Sequence, residues 1–130
     1  MSDFRMPQHV IDRVMEKRGR LNVFESLDPT KTAFLVVDMQ NFFVDGVQPC
    51  LDIMPNINRL ADAVRSSGGL VVWVVLTVAE SADGPSLWPI YHDNFFTEDK
   101  MKAHMAGLTR GSEGHAIHND MDVRDEDLVS

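Results

Sequence analysis

Residues 32–43 read Thr-Ala-Phe-Leu-Val-Val-Asp-Met-Gln-Asn-Phe-Phe, and no other stretch restricts the fold as much. The residues from 32 to 37 are apolar or β-branched, and the run stops at Asp38. A short unbroken apolar run suits a strand buried on both faces, as in a parallel sheet. An acid at its end is costly if it is buried without a partner. In open α/β sheets, ligands bind at the carboxyl ends of the strands. Asp38 is therefore the first candidate functional residue. The competing reading is an Asp that closes the next turn through its own backbone.

A second apolar run spans residues 70–78. Between the two, Ile53, Ile57, Leu60, Ala61 and Val64 recur at helical spacing over about 53–67, and Gly68-Gly69 ends the pattern. Asp45-Gly46 and Pro49 read as turn signals in a loop running to about residue 52, and Pro55 suits the first turn of the helix. Strand, helix, strand over this length predicts a parallel βαβ unit with a right-handed crossover. An earlier helix is predicted over 7–19, with Val10, Ile11, Val14 and Met15 on one face and Gly19 at its end, followed by a connector over 20–31. This helix is expected on the outside of the domain or against a partner subunit. After the second strand comes a long loop, 79–96, carrying Trp88, Tyr91, Phe95 and Phe96. Such a loop serves as a substrate wall, as a plug in its own scaffold, or as an interface. Thr97 caps a helix over 97–108. Residues 111–124 read as loop, and residues 128–130 as the start of a third strand. The expectation is one domain over 1–130, with a helical arm at 1–26 and a βαβ core and long loop at 27–130.

Charge and composition narrow the partners. A formal net charge of −8 argues against nucleic acid. No apolar run of about 18 residues exists, so no membrane span is expected. Residues 1–6 are charged without an apolar core, unlike a signal peptide. One cysteine allows no internal disulfide and fits a reducing compartment. The cytoplasm is the expected location.

Few other motifs carry chemistry. His115 and His118 are three apart with Glu113 nearby, but flanking glycines make this a loop, and no metal is expected. His92 and His104 read as surface residues. No glycine-rich phosphate loop follows the first strand, where Met39-Gln40-Asn41 stands. Gln40 and Asn41 suit orienting Asp38 or binding substrate amides. Phe42 and Phe43 suit packing under the sheet edge or walling a pocket. Cys50, without a placed His partner, reads as a small apolar residue.

Residues 27–44 closely resemble the first strand and loop of the isochorismatase-like cysteine hydrolases. The resemblance continues through 54–65, Gly-Gly-Leu-Val-Val-Trp-Val (68–74) and Gly-Ser-Glu-Gly-His (111–115). It implies a three-layer, Rossmann-like α/β fold, a parallel sheet with flanking helices, here apparently truncated at the third strand. It implies hydrolysis of C–N bonds in small amides, ureides or carbamoyl compounds, as in N-carbamoylsarcosine amidases and ureidoacrylate amidohydrolases. The family's working set is an Asp base, a Lys and a Cys nucleophile. Asp38 matches the Asp, whereas the Lys and the Cys are expected beyond Ser130. Gln40, Phe43 and Trp88 are the substrate-binding candidates. No organic cofactor is implied, and a homo-oligomer is expected. The histidine of the related nicotinamidases' metal-binding element is missing after the second strand. The alternatives are a non-catalytic fragment or binding module of the same fold, and an isochorismatase acting on a vinyl ether.

Overall fold

The structure, a computed structural model, describes residues 5–130; residues 1–4 of the expected arm lie outside it. β1 (Ala33–Val37) and β2 (Leu70–Val74) pair in parallel, with Ala33 opposite Leu70 and Val37 opposite Val74. β3 (Leu128–Val129) joins β2 in parallel, with Leu128 opposite Val72, so the strand order is β1-β2-β3. Among the described residues, five α-helices accompany the strands, α1 (Gln8–Arg18), α2 (Asn41–Val44), α3 (Gln48–Ser66), α4 (Pro89–Asn94) and α5 (Glu98–Leu108), with a 3-10 turn at Pro29–Lys31 before β1. This is the α/β parallel sheet with flanking helices that the sequence implies.

The core lies between the sheet and α3. Val36, Val71 and Trp73 from the strands meet Met54 and Ala61 from α3, closed off by Met39, Val44 and Met121. Burying a Val or Met of this kind contributes roughly 1.5–3 kcal/mol. The opposite face differs from the expectation that both faces are covered. Leu35 and Val37 are each 55% exposed, and Leu128 is 54% exposed. Side chains alternate across a strand, and α3 supplies cover on one side.

A polar network ties the end of α3 to the residue before β3. The Arg65 guanidinium donates to Asp127 through Nε at 2.8 Å and Nη2 at 2.5 Å, and to the Asp122 carbonyl at 2.6 Å. Trp73 Nε1 donates to Asp127 Oδ2 at 2.8 Å. The Arg65 and Asp127 side chains are 6% and 1% exposed. Paired with Arg65, and hydrogen-bonded to Trp73 and the Arg124 amide, the Asp127 carboxyl is held far below the usual carboxylate range. Arg124 completes the network by bridging Asp62 and Asp122.

Several boundaries shift from the predicted ones. Both strands are shorter than their apolar runs. α3 begins at Gln48 rather than near residue 53, because Pro49 sits in its first turn, where a missing N–H costs nothing. Pro55 is consequently inside the helix, on an exposed position. The predicted loop of 79–96 contains α4, again opened by a Pro in its first turn. α1 and its Gly19 cap, at φ 66°, fall where expected. Val10, Ile11 and Val14 are half-buried, and no residue of α1 is fully buried. Thr97 caps α5 by accepting from the Lys100 amide. No helix of the described residues is long and apolar enough to cross a membrane.

Candidate functional site

The site forms where β1 ends. The Asp38 amide donates to the Val74 carbonyl at 3.0 Å, extending the β1–β2 ladder past Val37. The chain then turns sharply: Asp38 has φ 57°, the left-handed region, and it is the one non-glycine residue with positive φ among those described. Asp is among the side chains that tolerate this conformation best. Asp38 is half-buried, and its carboxylate has no hydrogen-bond or ion-pair partner among the described residues.

After the turn, residues 39–42 run against residues 113–118. The His118 amide donates to the Met39 carbonyl at 2.9 Å, Asn41 to Ala116 at 2.9 Å, and Phe42 to Gly114 at 3.0 Å. The Asn41 side chain adds a bond to the Glu113 carbonyl. The Gly-Ser-Glu-Gly-His segment thus closes over the carboxyl edge of the sheet. Gly107 is needed for this closure, because a Cβ there would collide with the Phe42 ring.

The other sequence candidates separate. Gln40 is 0% exposed, and its carboxamide bonds to Leu76 N, Leu76 O and His115 O. Both of its N–H groups are occupied, so the expected substrate contact gives way to a structural one. Phe43 packs against the core cluster and lies edge-on to Phe42 at 5.1 Å. Trp88 lines a separate 270 Å³ cavity with Leu76, Val78, Tyr91, His92, Phe96 and His104. Its indole donates to the Thr77 carbonyl at 3.2 Å. Leu76 is the link: it bonds to Gln40 and also lines the aromatic cavity.

His92 and His104 are not the surface residues the sequence suggests. His92 is 4% exposed, with Nδ1 2.8 Å from Ser86 Oγ. His104 is half-buried between Phe42, Phe96 and His92, with ring centroids at 5.4, 4.7 and 5.9 Å. Burial, aided by His92 and Lys100, pushes the His104 pKa down and favours the neutral ring. The signal available in the sequence was their place among aromatic residues at helical spacing. His115 is also drawn toward the neutral form by burial and Arg110, and its Nε2 lies 2.8 Å from Thr77 Oγ1. It lines a second cleft of 460 Å³ with Arg110, His118 and Val129. No three His, Cys, Asp or Glu side chains cluster as a metal site among the described residues. Cys50 stands in the first turn of α3, half-buried and packed against the core.

Asp38 thus stands at the carboxyl end of the first parallel strand on a left-handed turn, and Leu76 connects its neighbour Gln40 to the aromatic cavity. Residues 32–130 match the isochorismatase domain, and the chain belongs to that family. A 49-residue stretch is 43% identical to a protein described as a probable inactive nicotinamidase of Arabidopsis thaliana, covering 34% of this chain and 25% of that protein. The fold superposes on a cysteine hydrolase from Pseudomonas syringae pv. phaseolicola with a TM-score of 0.64 at 21% identity, covering 85% of this chain and 50% of that one. The chain thus spans about half the length of that solved structure, and the likeness is one of fold.

Proposed function

We propose that the chain carries the general-base portion of a hydrolase acting on C–N bonds of small amides, ureides or carbamoyl compounds. Asp38 takes the proton of a cysteine thiol supplied from outside this chain, the thiolate attacks the carbonyl carbon, the C–N bond breaks as the amine leaves with that proton, and water then hydrolyses the thioester to release the acid and the thiol. The observation that carries the reading is the Asp38 carboxylate itself: half-buried, unpaired among the described residues, and held at a strand end on a left-handed residue. A group with no structural bond to satisfy is available to a reacting proton. Trp88 walls the substrate pocket, and Phe43 supports it from the core side. The residues described up to 26 serve as the arm and 27–130 as the core of one domain, which works in the cytoplasm as a homo-oligomer. The carbamoylsarcosine and ureidoacrylate amidohydrolases are the branch whose chemistry fits.

One observation favours a second reading. The Arabidopsis relative is described as probable inactive, which suits a module that keeps the fold and has lost turnover. A third, hydrolysis of a vinyl ether, shares the fold and differs in the nucleophile. The test is a panel of amides, ureides and carbamoyl amino acids with a protein that joins this chain to the lysine and cysteine of the family's working set, and with its Asp38→Ala variant. The expected outcome is turnover by the parent protein and a loss of at least 100-fold on substitution, in the range general-base catalysis supplies. Equal rates for both proteins would remove Asp38 from the mechanism.

A further inference from the structure

We propose that Gln40 is the positioning residue for Asp38: its side chain stands in for the strand backbone that the Asp38 turn removes. The argument is one of ladder geometry. In a parallel pair, evenly spaced bonds alternate along each strand. The Asp38 N–H donates to Val74 C=O. The next two bonds of an uninterrupted ladder would be Leu76 N–H to Asp38 C=O, then Gln40 N–H to Leu76 C=O. Neither is made. Instead Leu76 N–H donates to Gln40 Oε1 at 2.7 Å, and Gln40 Nε2 donates to Leu76 C=O at 3.0 Å. The carboxamide, itself a peptide-like group, replaces one backbone carbonyl and one backbone N–H at the same rung.

This substitution frees Asp38. With Leu76 satisfied by a side chain, Asp38 C=O is released from the ladder and its residue can adopt φ 57°. Strained backbone of this kind persists only where its surroundings over-determine it. The remaining Gln40 N–H fixes the second side of the turn through His115 C=O at 2.9 Å. Because Gln40 is 0% exposed, no water replaces these bonds when the carboxamide is lost. The Leu76 N–H then has one nearby acceptor of the right register, the Asp38 carbonyl. Taking it returns Asp38 to extended backbone and sends the carboxylate to the other side of the strand. The role of Gln40 rests on the reading of Asp38 as base only in its catalytic consequence; the conformational claim stands without it.

The experiment is NMR on the labelled chain, reading the sign of the Asp38 φ from scalar couplings and the acceptor of Leu76 N–H from couplings across the hydrogen bond. In the parent chain, Leu76 couples to the Gln40 side-chain carbon and Asp38 φ is positive. In Gln40→Met, Leu76 couples to the Asp38 carbonyl and φ turns negative. Gln40→Glu supplies a second variant should the first not fold. Its ionised carboxyl faces the Leu76 and His115 carbonyls, and its protonated form restores one donor. The Asp38 signals should therefore return toward the parent position as pH falls. A positive Asp38 φ in both variants at every pH overturns the proposal. Where turnover is measured, Gln40→Met should lower kcat by about 100-fold with KM within about twofold. An unchanged kcat beside an inactive Asp38→Ala also overturns it. Absence of turnover in the protein that carries the lysine and cysteine counts against the hydrolase reading alone, since the NMR outcome does not depend on it.

Discussion

The two faces of the sheet carry similar side chains and meet opposite fates. Toward α3, Val36, Val71 and Trp73 are 5%, 1% and 1% exposed. On the other side Leu35 and Val37 are 55% exposed, and Leu70 is 40% exposed. Apolar character is thus a property of the strand, whereas burial is a property of what packs against it. The covered face is also the one locked by charge, through Arg65, Asp127 and Trp73. Stability should therefore be concentrated on one side.

The strongest way to break that asymmetry is Asp127→Ala, which strips the buried Arg65 of its two shortest carboxylate bonds and leaves it the 3.3 Å ion pair to Asp122 and the Asp122 carbonyl. The expected loss is about 3–5 kcal/mol, read as a lower urea midpoint by circular dichroism. The paired change Arg65→Met with Asp127→Leu should cost far less, because no uncompensated charge remains. Equal losses would mean that packing, not desolvated charge, holds that corner. Next in size is a matched pair of substitutions on the two faces. Val71→Ala should cost about 2 kcal/mol, whereas Leu35→Ser should stay within about 0.5 kcal/mol. A cost for Leu35→Ser that rises with protein concentration would show that association covers the bare face in solution.

The smallest expected effect is a slope with pH. His104 and His115 have depressed folded-state pKa values. Below the ordinary value of 6.5 the unfolded chain binds protons that the folded chain resists, so stability falls as pH drops from about 6.5. His104→Phe should flatten part of that slope. Asp127 acts lower down: its stabilisation is complete above the ordinary 3.8 and is lost as pH falls below it. Thermal unfolding at pH 7, 5.5 and 3.5 separates the two windows.

Much of the fold was readable because its signals are local. The stop at Asp38, the Gly68-Gly69 break and the Thr97 cap each act within a turn of where they occur. Pro49 misled, since it marks a turn in isolation but occupies the first turn of α3 here. The network at Asp127 was not legible, because its partners Arg65 and Trp73 stand more than fifty residues away. At the site, Asp38 was legible from the end of an apolar run. The burial of Gln40 was not, because its partners are backbone groups of Leu76 and His115, and backbone leaves no trace in composition.

On the proposed reading of Asp38 as the base, its left-handed turn separates what the chain does from how it stands up. The carboxylate bonds to nothing described, and the backbone it sits on suits Asn or Gly as well as Asp. A single substitution there can silence the residue while every strand, helix and ion pair stays in place. Loss of chemistry and loss of structure are thus independent events in the history of such a scaffold. Proteins that retain this architecture after giving up its reaction should be easy for evolution to reach.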